Sequence, residues 1–237
     1  MTAARGAAVV SGGGSGIGRA IALELARRGY PLALLGRRHA PLAETLAAAG
    51  QEEIGLALRC DVTDAAAVAR AAAEVERRWG AAEVLVPAAG VARVAPLADL
   101  APGAFRETVE TNLTGTFLLL RVFLPPMVER GRGWVFPLLS VAATRGFPGW
   151  SAYCASKWGV AGLVAALRTE VAGTGVRIVA LYPGAVDTGI WEGVPGEWDR
   201  AGMVPPREVA RAVAFALDGD PKAVVEEVHV GPAGGAL

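Results

Sequence analysis

The sequence predicts a doubly wound α/β fold, a parallel sheet of about seven strands with helices on both faces. Three observations carry that expectation. Short apolar, β-branched runs alternate with helix-period segments along the whole chain. A glycine-rich turn, Ser11–Gly18, joins the first such run to the first helix. No linker, repeat or low-complexity stretch divides the chain, so residues 1–237 are expected to form one domain.

The elements follow in order. Ala7–Val10 reads as a strand and Arg19–Arg28 as a helix that stops at Gly29. Pro31–Leu35 is the second expected strand, followed by a helix over Pro41–Ala49 that ends at Gly50. Ile54–Leu58 is the third strand, and Ala65–Trp79 is a helix headed by the capping residues Thr63 and Asp64. Glu83–Val86 is the fourth strand and Phe105–Leu124 a long helix. Gly133–Ser140 is the fifth strand, Ser151–Ala172 a helix and Val176–Leu181 the sixth strand. A polar, less regular stretch, Gly189–Pro206, precedes a helix at Pro206–Leu217 and a last strand at Ala223–Val230.

Composition narrows the function classes. Formal net charge is +0, which gives no electrostatic case for nucleic acid or an anionic membrane. The two cysteines, Cys60 and Cys154, form no CxxC or disulfide framework and fit a reducing compartment. His39 and His229 are isolated, so no metal site is expected. Apolar stretches are cut by Pro125, Pro126 and several arginines before reaching a membrane span of roughly 18 residues. Ala7–Val10 already reads as a strand, which leaves no room for a signal peptide. The expectation is a soluble, cytoplasmic protein.

Strand, glycine turn, helix is the context of a phosphate-binding loop. Glycines allow close backbone approach, and the helix start offers free N–H groups and a positive dipole end. Gly12, Gly14, Ser15, Gly16, Ile17 and Gly18 are therefore candidate cofactor-binding residues, in the spacing Gly12-x-x-x-Gly16-x-Gly18. An acid about 20 residues past such glycines binds a ribose 2′-hydroxyl; here Gly36 is followed by Arg37 and Arg38. Guanidinium groups there attract a 2′-phosphate, or else simply begin a surface helix. Asp61, with Val62 after it, lies at a strand's C-terminal end and either accepts from an adenine amino group or caps a helix. Small residues in Pro87-Ala88-Ala89-Gly90 leave room for a ribose or form an ordinary turn. Asn112 is a poor helix former in apolar surroundings and belongs either to a structural network or to the site.

Ser140, Tyr153 and Lys157 can act together. Tyr153 and Lys157 are four residues apart in a helical segment, on one face. An ammonium near the phenol is expected to lower its pKa toward neutrality. Ser140 ends a strand, with its hydroxyl available to the same cleft. The chain is rich in arginine and holds lysine only at 157 and 222, so Lys157 reads as chosen for a compact ammonium.

Together these residues resemble the short-chain dehydrogenase/reductase family with a single Rossmann-like domain, over nearly the whole chain. The resemblance implies Tyr153 as general acid/base, Ser140 orienting a substrate carbonyl, and Lys157 binding the nicotinamide ribose. It implies Asn112 holding a water in a proton relay, and Pro183-Gly184, the Val186 backbone and Thr188 holding the nicotinamide carboxamide. It also implies hydride transfer between NADP(H), with NAD less favoured, and a small carbonyl or secondary alcohol. A homo-oligomer, dimer or tetramer, follows from the same resemblance. Two positions depart from the family pattern: Ser11 stands for its usual Thr, and Pro87-Ala88-Ala89-Gly90 for its Asn-Asn-Ala-Gly. The missing amides motivate a second expectation, a cofactor-binding protein with little turnover. Phe147, Trp150, Trp191 and Trp198 are candidates for an apolar substrate pocket.

Overall fold

The computed structural model describes residues 5–220 and 222–235. Strand β1 (Ala8–Ser11) is central, with β2 (Leu32–Gly36) on one side and β4 (Val84–Pro87) on the other. Beyond these lie β3 (Leu56–Arg59), β5 (Gly133–Val135) and β6 (Val176–Ile178), giving the parallel order β3-β2-β1-β4-β5-β6. The chain winds outward from β1 in one direction and then returns to start again on its other side. Where β1 and β4 part, the connections leave in opposite directions and open a crevice at the strands' C-terminal ends.

β7 (Ala180–Pro183) follows β6 after Val179 alone and pairs in parallel with β8 (Glu227–Val230). Val179 N–H still bonds to Val135 at 2.9 Å, and Leu181 bridges Leu138. β6 and β7 are thus one interrupted strand that changes partner, and the expectation of about seven strands holds.

Side chains of β1 and of Ala7 just before it alternate between two apolar layers, as extended geometry requires. Ala7 and Val9 join a cluster with α3 (Ala65–Trp79), α5 (Gly115–Arg130) and α6 (Ser151–Glu170). Ala8 and Val10 join the opposite cluster with α1 (Gly16–Arg27), α2 (His39–Ala48) and α7 (Pro206–Leu217). Both faces are covered, so β1, β4 and β7 are buried along their whole length, while β3 and β8 are partly exposed.

Several boundaries differ from the sequence expectation for physical reasons. The third strand begins at Leu56 because Ile54 stands half exposed in the preceding turn. The fifth stops at Val135 because Pro137 has no N–H to continue the ladder. Phe136 and Leu138 still donate to Leu85 and Pro87 at 2.8 and 3.0 Å, which keeps the chain extended as far as Ser140. The last strand covers only Glu227–Val230. The long helix is interrupted: α4 (Pro102–Val109) passes through a π turn at Glu110–Thr114 into α5. At Gly115 a Cβ would lie 2.7 Å from the Val62 side chain, so the helix crosses the end of β3 where only glycine fits. α5 then runs through Pro125 and Pro126, because Phe123, Leu124 and Met127 are buried in the core and hold the segment in place.

Candidate active site

The glycine turn brings two chain segments into contact. Gly12 and Gly16 have φ of +67° and +52°, where other residues are strained. A Cβ on Gly18 would sit 2.4 Å from the Gly12 carbonyl oxygen, so the first helical turn closes onto the strand end only with glycine there. Gly12, Ser15, Gly16, Ile17 and Gly18 line the crevice. Gly14 packs away from it: a Cβ there would lie 2.8 Å from Pro41, so its role is to let α2 approach. Ser15 is extended and its side chain makes no cap bond, which leaves the start of α1 facing the crevice without an internal acceptor.

Ser11, at the end of β1, is fully buried. Its Oγ accepts hydrogen bonds from the N–H groups of Ala88 and Ala89, at 3.0 and 3.1 Å. One hydroxyl therefore braces the turn that lacks both amide side chains. A Cβ on Gly12 would stand 3.1 Å from the Ala88 oxygen, so the two turns are in close contact. Ala88, Ala89 and Gly90 all line the crevice.

Ser140, Tyr153 and Lys157 meet in the same cavity. Ser140 caps a short 3₁₀ turn, Val141–Ala143, by accepting from Ala142 N–H at 3.1 Å. Its hydroxyl also hydrogen-bonds the Tyr153 phenol. Lys157 is buried and its Nζ donates to the Leu138 carbonyl at 2.6 Å, 5.6 Å from the centre of the Tyr153 ring.

The expected fall in the phenol pKa is not what this arrangement produces. Loss of solvation pushes Tyr153 up to about 12; the Ser140 bond opposes this, and Cys154 adds to it. Loss of solvation likewise brings the Lys157 ammonium down to about 8. The helical spacing does put the two residues on one face, but the ammonium is directed to a backbone carbonyl and burial outweighs its field at the phenol.

Asn112 is 1% exposed and sits in the π turn. Its Oδ1 accepts from Val91 N–H at 2.8 Å, and its Nδ2 donates to Val91 O and Ser156 Oγ at 2.9 and 3.0 Å. Its own carbonyl accepts from Thr116 Oγ1 at 2.7 Å. The side chain thus clamps the segment after Gly90 to α6 at Ser156, the residue before Lys157. Ser156 is the partner that sequence reading missed; a small polar residue one position before Lys157 is the signal that was available.

Arg37 and Arg38 lie exposed at the end of β2, outside the cavity lining, as does Asp61 at the end of β3. Thr63 binds the Asp61 carboxylate through its N–H, at 3.0 Å, and its hydroxyl, at 2.8 Å. The backbone bond is the main cause holding this carboxyl below its usual range, and the Arg37 charge contributes. Asp64 is the helix cap, accepting from Ala66 and Ala67. Val62 is buried against Gly115 and does not reach the cavity.

Pro183, Gly184, Val186 and Thr188 form the opposite wall. Gly184 N–H bonds to Val230 O at 2.8 Å, and Thr188 lies against Gly16, where a Cβ would meet its Cγ2 at 3.2 Å. The Trp191 indole donates to Val186 O at 2.9 Å and ties the irregular segment to this wall. The cavity measures about 880 Å³. Phe147, Trp150, Trp191 and Trp198 line it, as the sequence suggested. Arg93, Arg145 and Glu192 also line it and were not anticipated, since nothing in their local sequence sets them apart from surface charges. Among the described residues no helix is long and apolar enough to cross a membrane, and no His/Cys/Asp/Glu group could hold a metal ion.

Fold and site together define a dinucleotide-type crevice with a Ser/Tyr/Lys set at its centre. A family model described as short chain dehydrogenase matches residues 6–197. The chain is 37% identical over 237 residues to a sepiapterin reductase of Chlorobaculum tepidum, covering 97% of each chain. It is 38% identical to a D-threitol dehydrogenase of Mycolicibacterium smegmatis over 220 residues, 88% of this chain and 84% of that one. It also superposes on the alcohol dehydrogenase of the archaeon Thermococcus sibiricus complexed with 5-hydroxy-NADP, with a TM-score of 0.89 and 31% identity, covering 98% and 99% of the two chains. The chain belongs to the short-chain dehydrogenase/reductase family and is an oxidoreductase of that family.

Proposed function

We propose that this oxidoreductase transfers a hydride between NADP(H) and a small carbonyl or secondary alcohol, with Tyr153 as the acid/base. The observation that carries the reading is convergence: Ser140, Tyr153 and Lys157 share one cavity with the glycine turn and the Pro183–Thr188 wall. The residues fit a dinucleotide. Side chains at Gly12, Gly16 and Gly18 would fill the cradle or strain it, and the start of α1 offers its N–H groups to a pyrophosphate. Gly36 puts no carboxylate beside a ribose 2′ position, and Arg37 and Arg38 stand next to it on the exposed end of β2. The Thermococcus sibiricus neighbour, solved with 5-hydroxy-NADP, supports the same cofactor class.

The bound nicotinamide supplies the hydride. The chain's own residues manage the oxygen and its proton. With its pKa near 12, the Tyr153 phenol keeps its proton at neutral pH and donates it from Oη to a nascent alkoxide. Ser140 adds a second hydroxyl beside the same oxygen and fixes its position. Lys157, held by Leu138 O, keeps an ammonium behind the phenol at pH values below about 8 and restrains a ribose hydroxyl. Asn112 holds the Gly90–Val91 segment in place beside them.

The second reading, a cofactor-binding protein with little turnover, is motivated by the missing amides at Pro87 and Ala88. Ser11 supplies the turn with hydrogen bonds from below, which favours turnover. A panel of ketones, aldehydes and secondary alcohols tested with NADPH, NADP, NADH and NAD, followed by cofactor absorbance, checks the proposal. Tight cofactor binding with no turnover across the panel refutes it in favour of the second reading.

A further inference from the structure

We infer that Arg145 selects the substrate at this site, and that it selects an aryl ketone bearing a carboxylate on the far side of its ring. The inference rests on the carbonyl-reduction reading for which end of the substrate faces Tyr153. Two arginines line the cavity, and they differ in their partners. Arg93 is committed to Glu107 through two hydrogen bonds of 2.9 Å. The Arg145 guanidinium makes no ion pair or hydrogen bond among the described residues and lies over the Phe147 ring, its Cζ 5.1 Å from the centroid. A guanidinium stacked this way keeps its N–H edge available, and that edge matches a carboxylate in a two-point fork.

The Arg145 side chain is exposed at the cavity edge, and its backbone is fixed relative to Ser140. Ala143 N–H bonds to Ser140 O at 2.9 Å, and Thr144 and Arg145 N–H both bond to Val141 O, at 3.0 and 3.2 Å. One tight turn therefore carries the chain from Ser140, beside the phenol, to Arg145. An aromatic wall that starts at Tyr153 itself lines the same cavity. Trp150 meets Tyr153 edge-on at 5.4 Å, Trp191 meets Trp150 at 5.8 Å, and Trp198 meets Trp191 at 4.7 Å. A flat ring stacks on such a wall, and an acid carried on that ring shares the cavity with the Arg145 cation. Glu192 lines the same cavity, with its carboxylate against Gly189 and no ion pair among the described residues. Its charge works against anions, so a singly charged substrate is favoured over a more acidic one.

The probes are 4-acetylbenzoate and its neutral isostere 4-acetylbenzamide, titrated calorimetrically into the full chain loaded with NADPH. The acid should bind about tenfold tighter at low salt, as expected for a charge-assisted contact, and the gap should narrow with added salt. Arg145→Gln should abolish the preference, Arg145→Lys should keep part of it, and Glu192→Gln should widen it two- to threefold or so. Equal affinity for the two probes, a preference that survives Arg145→Gln, or binding of neither probe overturns the inference. Reduction of the amide as efficient as that of the acid overturns it while leaving carbonyl reduction intact. An Arg145-dependent preference without reduction of either probe leaves Arg145 as the carboxylate reader and refutes carbonyl reduction instead.

Discussion

Removing the Ser11 hydroxyl tests whether one side chain holds the two halves of the crevice together. Ser11→Ala takes the acceptor from Ala88 N–H and Ala89 N–H at once, and the site is fully buried on the Ser11 side. An amide left without an acceptor costs about 1–3 kcal/mol. Both alanines border the cavity and are only partly buried, so water can reach them and the lower end applies. The expected loss is about 2 kcal/mol for the pair, which for a chain of this size lowers Tm by roughly 4–8 °C. Because Gly12 packs directly on Ala88, the loosened turn should also weaken cofactor binding. Urea unfolding and calorimetric NADPH titration of the wild type, Ser11→Ala and Ser11→Thr read both effects. Ser11→Thr keeps the acceptor and should keep cofactor affinity. A stability change below about 0.5 kcal/mol in Ser11→Ala, with unaltered NADPH affinity, would show that the turn stands without Ser11.

Other perturbations have defined signs. Tyr153→Phe removes the proton donor and should lower kcat about a hundredfold or more while leaving NADPH affinity within about twofold; near-normal turnover ends the acid/base assignment. The Lys157 pKa, brought down to about 8 by burial from an ordinary 10.5, means the folded chain gives up this proton before the unfolded chain does. That penalty is complete below pH 8 and fades as pH rises toward 10.5, so wild-type stability should gain about 2 kcal/mol between pH 8 and 9.5 relative to Lys157→Met; parallel profiles for the two proteins contradict the burial argument. Gly36→Asp with Arg37→Leu places a carboxylate beside the ribose and removes a cation, and a Cβ at Gly36 meets only the Leu42 side chain, at 3.3 Å. The wild type should prefer NADPH by roughly ten- to a hundredfold, less in salt, and the double variant should prefer NADH. Equal dissociation constants in the wild type remove Arg37 from the cofactor site.

What the sequence made legible is what local rules govern. The strand–glycine–helix unit at Ala8–Arg27 follows from a β-branched run, glycines where side chains would collide, and an apolar helix face, all within 20 residues or so. Alternation of such units implies a parallel sheet with both faces covered, and the order β3-β2-β1-β4-β5-β6 is its result. Features that depend on distant chain segments were not legible. The π turn at Glu110–Thr114 lies where α6 and the segment after Gly90 both draw on Asn112, 21 and 44 residues away from Val91 and Ser156. The split of β6 from β7 depends on where β5 runs out at Pro137.

The site shows the same division between identity and environment. Spacing alone placed Tyr153 and Lys157 together, but it carried no information on how much water either one retains. A four-residue interval says that an ammonium can approach a phenol; whether it lowers the phenol pKa depends on where the ammonium points and what covers both groups. Here Leu138 O, from the strand end across the cavity, takes the ammonium, and Trp150 covers the phenol edge. Both neighbours come from outside the helix that carries the pair. The consequence is a neutral phenol at physiological pH, suited to giving a proton during carbonyl reduction. With Tyr153 as the proposed acid/base, alcohol oxidation requires the phenol to take a proton instead, so its rate should climb with pH toward the phenol's pKa of about 12, while reduction holds level and falls only near that same value.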